Sequence, residues 1–429
     1  MESLSALLTS LRRCCEALPD LRRPGPNTRY AMADFGLAAF SVFFMQSPSF
    51  LAHQRHLERG QGRSNCQTLF GMAAIPCDNQ IRAMLDPVDP SRFFPVVADV
   101  VGELERTAGL KEFRRLDGRI LIALDGTEYF RSNRLHCAHC SSRARGGKTE
   151  YFHTMLSAVV VAPGHQRVVP LEPEFIVPQD GHDKQDCESR AARRWLDQHA
   201  GRYARFDPVY LGDDLYARQP VCEAVRAANG HFLFVAKPSS HATIEAYLTG
   251  VELPVHTERV KRGRERFTST YRWLCDVPLR GDGKAMSVNW LMIEIANPKG
   301  AVTYRNSFIT DLPVTRDTVA ELAACGRARW KIENETFNVL KTRGYNLGHN
   351  FGHGQRNLSA VLATLNLLAF ACHTVCELAE TTWNQAVQRI GARRRFFEHL
   401  RTLTVYLVFL TWDDLLATIV GAAAPQRPP

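Results

Sequence analysis

No apolar run in this sequence reaches the roughly 20 residues of a membrane-spanning helix. Phe35–Met45 lies between Asp34 and Pro48, and Leu358–Cys372 carries Asn366. Both read as buried helices, and no membrane partner is expected. A small-scaffold disulfide spacing is missing too. The 12 cysteines are scattered, as in Cys14-Cys15, Cys66, Cys275 and Cys325, which suits a reducing compartment. A signal-peptide pattern is also lacking, since Arg12 and Arg13 follow a short mixed segment rather than leading into an apolar core. Together these absences set the expectation of a cytoplasmic protein. Internal repeats are lacking as well.

What is present is length, an ordinary core content and excess positive charge. The chain has 429 residues, of which 45% are hydrophobic, enough for two or three domains or one elaborated domain. The formal net charge is +9 and the pI about 9.0. A basic surface favours a polyanionic partner. Charge alone leaves a merely basic enzyme equally open.

Residues 327–341 read Arg-Ala-Arg-Trp-Lys-Ile-Glu-Asn-Glu-Thr-Phe-Asn-Val-Leu-Lys. This is an amphipathic, helix-like segment in which a carboxylate sits among cations. Metal chemistry on a polyanion needs that pairing: an anionic ligand for the cation, and cations for the phosphates. Two aspartates upstream follow apolar, strand-like runs: Asp125 after Arg-Ile-Leu-Ile-Ala-Leu, and Asp213 after Pro-Val-Tyr-Leu-Gly. Asp125, Asp213 and Glu333 would form a carboxylate triad. Glu335 competes with Glu333. The two point roughly 200° apart on a helix, so only one faces the site, and helix geometry alone does not choose.

The motifs Asp125-Gly126, Asp213 with Tyr216, and Arg329-Trp330-Lys331-Ile332-Glu333 resemble those of DDE transposases of bacterial insertion sequences. The resemblance covers roughly residues 115–370 and favours Glu333 over Glu335. The family's glutamate helix commonly reads Tyr-x2-Arg-x3-Glu-x6-Lys. Here Arg329 and Glu333 fit, Gly326 stands in the tyrosine position, and Lys341 comes one position late.

The resemblance implies an α/β fold: an RNase-H-like core with a β-rich insertion, flanked by helical N- and C-terminal regions. It also implies an enzyme that binds element ends, cleaves DNA and joins a 3′-hydroxyl to target DNA. Two Mg²⁺ ions, replaceable by Mn²⁺, would be held by Asp125, Asp213 and Glu333. The partner is double-stranded DNA, with at least a homodimer in the DNA complex, in the bacterial cytoplasm at the nucleoid. Other readings are a catalytically inactive DNA-binding regulator and a nuclease of the same fold.

The chain divides by pattern. Residues 1–112 read as helical, with Pro24 and Pro26 separating the first helices, a polar loop at Arg59–Asn65 and Asp78 as an N-cap. This part is either a DNA-binding domain or a cap on the core. Residues 113–236 alternate strands and helices in the order of an RNase-H-like core, first part. Helices are expected at Lys184–His199 and Leu215–Ala228. Residues 237–310 form the β-rich insertion, residues 311–380 the second part of the core with the glutamate helix, and residues 381–429 a helical C-terminal region. Helices are expected at Leu358–Ala379 and Leu403–Val420, with a disordered tail at Pro425–Pro429.

Several residues carry two readings each. Lys261-Arg262-Gly263-Arg264 is a cationic hairpin tip for DNA phosphates or a solvated turn. Arg329 contacts DNA, bridges to Glu333, or forms an ordinary i,i+4 pair. Lys341, Arg343 and Tyr345 follow as candidate strand contacts. Asn350 and His353 touch DNA or form a tight connection. Cys137-Ala-His-Cys140 has the spacing of a zinc half-site, with His136, His139, His153 and Cys187 as candidate partners, or is a pair of free thiols. Asp186 and Glu188 suit a helix N-terminus or extend the metal site. Trp273 and Trp290 stack on an extruded base or fill a β-sheet core.

Overall fold

The computed structural model describes residues 1–23, 25, 28–178, 186–263 and 265–421. The readings placed on Pro24, Pro26, Lys184, Arg264 and Pro425–Pro429 lie outside the described residues.

Helices come first: α1 (Glu2–Glu16), α2 (Met32–Phe44), α3 (Phe50–Glu58), α4 (Gly62–Phe70), α5 (Asp78–Leu85) and α6 (Phe94–Arg106). α5 begins one residue earlier than an Asp78 cap would place it. Cys77 is its N-cap, and Asp78, inside the first turn, pairs with Arg82 at 3.1 Å. The stretch expected as a polar loop is partly helical, because α4 starts at Gly62. Its buried Asn65 donates 2.7 Å hydrogen bonds to the carbonyls of Thr404 and Leu407.

The sheet begins with β1 (Arg114–Arg115), β2 (Arg119–Ser132), β3 (Ser141–Arg145), β4 (Lys148–Val161), β5 (Val169–Pro170) and β6 (Glu174–Ile176). Next come α7 (Glu188–Tyr203), β7 (Val209–Gly212), α8 (Gln219–Ala227), β8 (His231–Val235) and α9 (Ala242–Leu248). α8 starts four residues later than its apolar pattern predicts. Arg218 is extended at its N-cap, and Pro220 sits in the first turn, where its fixed φ suits a helix start.

β9 (Val255–Arg262), β10 (Glu265–Pro278), β11 (Ser287–Ala296) and β12 (Val302–Thr310) follow as antiparallel hairpins. They continue the same sheet, because β12 pairs with β8. The strand order is β3-β4-β2-β7-β8-β12-β11-β10-β9. β2, β7 and β8 run parallel, and β4 is antiparallel to β2.

After the sheet come α10 (Val319–Arg327), a π-helical turn (Ile332–Phe337), α11 (Asn338–Thr342), α12 (Leu358–Ala379), α13 (Thr381–Ile390), α14 (Arg393–Tyr406) and α15 (Trp412–Gly421). The helix expected at Leu403–Val420 is therefore broken. Residues 407–411 leave helical geometry, and the Phe409 N–H donates to Asn65 Oδ1 at 2.9 Å.

α12 is longer than the apolar run that suggested it. By length and composition it could cross a membrane, yet 89% of its most apolar window is buried inside the protein. α1, α2 and α6 pack on it. Asn366 of α12 donates to the Tyr345 carbonyl at 2.9 Å, which satisfies part of its buried amide.

The sheet separates two apolar layers. Ile120, Ile122 and Leu124 of β2 join α7, α12 and the N-terminal helices on one face. Leu121 and Ala123 join α10 and the glutamate segment on the other. This two-residue alternation decides where the next residue, Asp125, projects.

Candidate active site

Asp125 continues the face of Leu121 and Ala123, toward the layer that contains Ile332, Phe337 and Leu340. The strand does not stop there. β2 runs on to Ser132, held by β4, so the residues after Asp125 are fixed as firmly as those before it. β7 lies alongside β2, pairing Val209 with Leu121 and Leu211 with Ala123. Continued by two residues, this register sets Asp213 beside Asp125. Neighbouring strands lie about 4.8 Å apart. β7 ends at Gly212, and Asp213 Oδ1 accepts the Leu215 N–H at 2.8 Å, which turns the chain.

Glu333 arrives from the other side of the layer. Burying Ile332, Phe337 and Leu340 anchors its segment, each at about 1.5–3 kcal/mol. Arg329 joins the pieces. Its Nη1 lies 3.4 Å from Asp125 Oδ2, and its Nη2 lies 2.9 Å from Glu333 Oε1. The Arg329 side chain is only 11% exposed, so it is a built bridge and not a surface i,i+4 pair.

A fourth carboxylate completes the group. Glu188, in the first turn of α7, approaches from the opposite face of β2, directly over Gly126. A Cβ at Gly126 would collide with the Glu188 carboxyl, so this approach requires glycine. The buried Tyr216 directs its hydroxyl to Glu188 Oε2 at 3.5 Å. The aromatic three residues after Asp213 therefore faces Glu188 from within the core.

Crowding shows in the electrostatics. Burial pushes the Asp125 carboxyl up to about 7. Arg329 opposes this, while Glu188, Glu333 and Asp213 add to it. Burial, then Asp213, also raises Glu188. Carboxylate oxygens that repel one another, two of them beside a shared guanidinium, are hard, anionic donors of the kind Mg²⁺ prefers.

Both departures from the family pattern have structural explanations. Gly326 packs against β12, where a Cβ would come within 2.7 Å of the Phe308 ring, so a tyrosine has no room. The late lysine is taken up by the π-helical turn, in which the Asn338 N–H donates to the Glu333 carbonyl. That i→i−5 bond takes in one more residue than an α-helical turn. Eight residues along an α-helix would rotate Lys341 about 80° away from Glu333. The wider turn restores much of the phase, and Lys341 Nζ donates to Thr127 Oγ1 at 2.8 Å, two residues beyond Asp125.

The model of the transposase DDE domain family matches residues 122–371, from within β2 into α12. The chain belongs to the DDE transposase family. No curated protein matches it in sequence. The matched DDE domain spans Asp125, Asp213, Glu188, Arg329, Glu333 and Lys341.

Other candidates separate clearly. Arg343 is exposed just beyond α11. Tyr345, expected as a strand contact, is buried: its hydroxyl lies 2.6 Å from His373 Nδ1 and accepts from Arg393. Asp186 is buried, holding Arg194 through both oxygens at 2.8 and 2.9 Å, which makes it structural. Trp290 is a buried sheet residue and Trp273 packs partly against the second layer, whereas Trp330, three residues before Glu333, is 52% exposed.

Lys261 is exposed at the β9–β10 hairpin, whose strands pair through Arg262 and Glu265 beside Gly263 with φ +62°. Cys137 and Cys140 meet His153 and also His353, which loop chemistry alone did not reveal as their partner. His136 stacks on Tyr151 instead, His139 Nδ1 lies 3.1 Å from the Arg356 carbonyl, and Cys187 stands at the N-cap position of α7 without a side-chain cap bond.

Proposed function

We propose that this chain is a metal-dependent DDE transposase that binds the ends of its element, cleaves DNA and joins 3′-hydroxyl ends to target DNA. One observation carries this reading. Asp125 and Glu333, far apart in sequence, meet on the Arg329 guanidinium within the DDE domain, and the β2–β7 register brings Asp213 alongside Asp125. The strand order β4-β2-β7-β8, with only β4 antiparallel, supports an RNase-H-like core.

Asp125, Asp213 and Glu333 would hold two Mg²⁺ ions, with Glu188 at their edge. Bound Mg²⁺ would activate the attacking oxygen and stabilise the leaving oxygen of the phosphodiester. The remaining work belongs to the chain itself. Asp125 releases the proton that its crowded site retains. Arg329 keeps Asp125 and Glu333 facing each other. Lys341, fixed to β2 through Thr127, and Arg343 beyond it offer positive charge to the strand that enters. Lys261, Arg262 and Arg264 offer further charge to duplex phosphates, which position DNA without reading its sequence. Joining two ends requires at least two copies of the chain in the DNA complex.

The test is a supercoiled plasmid carrying element ends, incubated with the full chain and Mg²⁺, beside Asp125→Ala. Cleavage and joining by the wild type alone supports the proposal. Cleavage without joining points to a nuclease, and binding alone to a regulator.

A further inference from the structure

We propose that Cys137, Cys140, His153 and His353 form a closed, tetrahedral zinc site that ties the exit of the glutamate segment to β4 and to the connection that follows β2, the strand of Asp125. Cys137 and Cys140 lie in the connection between β2 and β3, His153 lies in β4, and His353 lies between α11 and α12. The four ligand atoms lie within 4.8 Å of one another. Cys137 Sγ and Cys140 Sγ are 3.9 Å apart. Both face His153 Nε2, at 3.6 and 3.3 Å. His353 Nε2 is 3.3 Å from Cys140 Sγ and 3.1 Å from His153 Nε2. For tetrahedral zinc, with Zn–S about 2.3 Å and Zn–N about 2.0–2.1 Å, the expected separations are about 3.8 Å between sulfurs, about 3.6 Å from sulfur to nitrogen and about 3.3 Å between nitrogens. These five separations match that shape, and the sixth pair, Cys137 and His353, lies within 4.8 Å.

A second observation points the same way. His353 Nδ1 lies 2.9 Å from the Gly354 carbonyl, a contact that only an N–H satisfies. Its Nε2 therefore presents a lone pair to the cluster, the tautomer that a metal-binding histidine adopts. Free thiols and an ordinary histidine pair do not require four donor atoms to converge on one point. The walls are apolar. Phe130 packs on the His353 ring at 4.3 Å, and Tyr129 stacks on His153 at 5.7 Å. Two thiolates and two imidazoles select zinc over Mg²⁺ or Ca²⁺, and four protein ligands leave no open position for substrate. The site is structural.

Its placement explains what it holds. Cys140 and His353 are 213 residues apart in sequence. The ion clamps the segment leaving α11 onto β4 and the β2–β3 connection, and thereby limits how far Lys341 and Glu333 can move relative to Asp125. Asp86 holds the neighbouring backbone, accepting the N–H groups of Gln355, Arg356 and Leu358. The zinc site rests on its own geometry and stands whether or not the chain transposes DNA.

The full chain, purified under reducing conditions without chelator, should contain about one zinc ion per chain by mass spectrometry of the metal. Cys137→Ser with Cys140→Ser should lose it, while Cys187→Ser and Cys275→Ser, exposed cysteines outside the cluster, should keep it. Should the double variant fail to fold, Co²⁺ loaded into the metal-free wild type decides. Intense d–d bands with thiolate charge transfer support the site, and the weak bands of octahedral cobalt overturn it. A wild-type chain that holds no zinc and takes none when it is added also overturns it, as does a folded double variant that keeps its zinc.

Discussion

β2 with the connection that follows it, and the chain beyond Gly326, each contribute to two clusters whose chemistry differs at every point. The first joins Asp125 and Glu333 through Arg329, with Asp213 beside Asp125 by strand register and Glu188 over Gly126. Its ligands are hard and anionic, repel one another, and leave the Glu333 side chain 41% exposed. The second gathers Cys137, Cys140, His153 and His353. Its ligands are soft, four in number, and both histidines are buried. An open carboxylate group accepts an ion that keeps its waters and meets substrate, whereas a closed thiolate–imidazole group accepts one that only holds protein together. On the two proposals, one scaffold would support an exchangeable centre and a fixed one, on and just beyond the same strand.

The largest expected effect breaks the first cluster alone. Asp125→Ala or Asp213→Ala should lower Mg²⁺-dependent cleavage by on the order of 10³-fold or more, because several kcal/mol of transition-state stabilisation is lost. DNA affinity should stay within a few-fold, since phosphate contacts come from cations elsewhere. Zinc content should not change. A parallel measurement of cleavage, binding and zinc checks all three, and loss of zinc with activity would merge the two clusters into one.

Metal exchange separates them next. A brief excess of EDTA should abolish cleavage, and Mg²⁺ or Mn²⁺ alone should restore it. Ca²⁺ should not, because its looser geometry orients the attacking oxygen poorly. Full activity in EDTA would contradict the two-metal reading.

A smaller effect concerns protons. Asp125 retains its proton up to about 7, chiefly through burial. Mg²⁺ competes with that proton, so its apparent affinity should rise about tenfold between pH 6 and 8. For folding without metal the sign is opposite. A carboxyl whose folded value is raised costs stability as pH climbs from the ordinary aspartate value toward 7. Added Mg²⁺ should therefore raise the melting temperature more at pH 8 than at pH 6. An equal gain at both values would remove Asp125 from the ligand set.

The smallest effect lies at the hairpin. Neutralising Lys261, Arg262 and Arg264 together should flatten the dependence of log affinity on log salt by about 0.9 per lost phosphate contact. Preference for element ends should survive. An unchanged slope in a binding titration would leave the tip a solvated turn.

The carboxylates were legible because their signals are local. Asp125 and Asp213 each follow a few apolar strand residues, and Glu333 sits in a compact motif. The full length of β2 was not legible, since the residues after Gly126 lack an apolar run and are held by pairing with β4. Glu188 reads equally well as a favourable charge at a helix start. Gly126, on a different element, leaves the room through which it reaches the site. The π-helical turn has no composition of its own, so Lys341 looked displaced. His353 met the cysteines only through folding across more than 200 residues, and its Gly-rich surroundings resembled a loop. Tyr345 follows a basic helix in sequence but is drawn inward by His373 and Arg393.

The central claim is that Glu333, through Arg329, completes the site begun by the two aspartates. The direct measurement is plasmid cleavage in Mg²⁺ by Glu333→Ala beside Glu335→Ala, with both chains shown to bind DNA and retain zinc. The account predicts that Glu333→Ala is inactive and Glu335→Ala cleaves close to wild type. Cleavage by Glu333→Ala with loss in Glu335→Ala would contradict it.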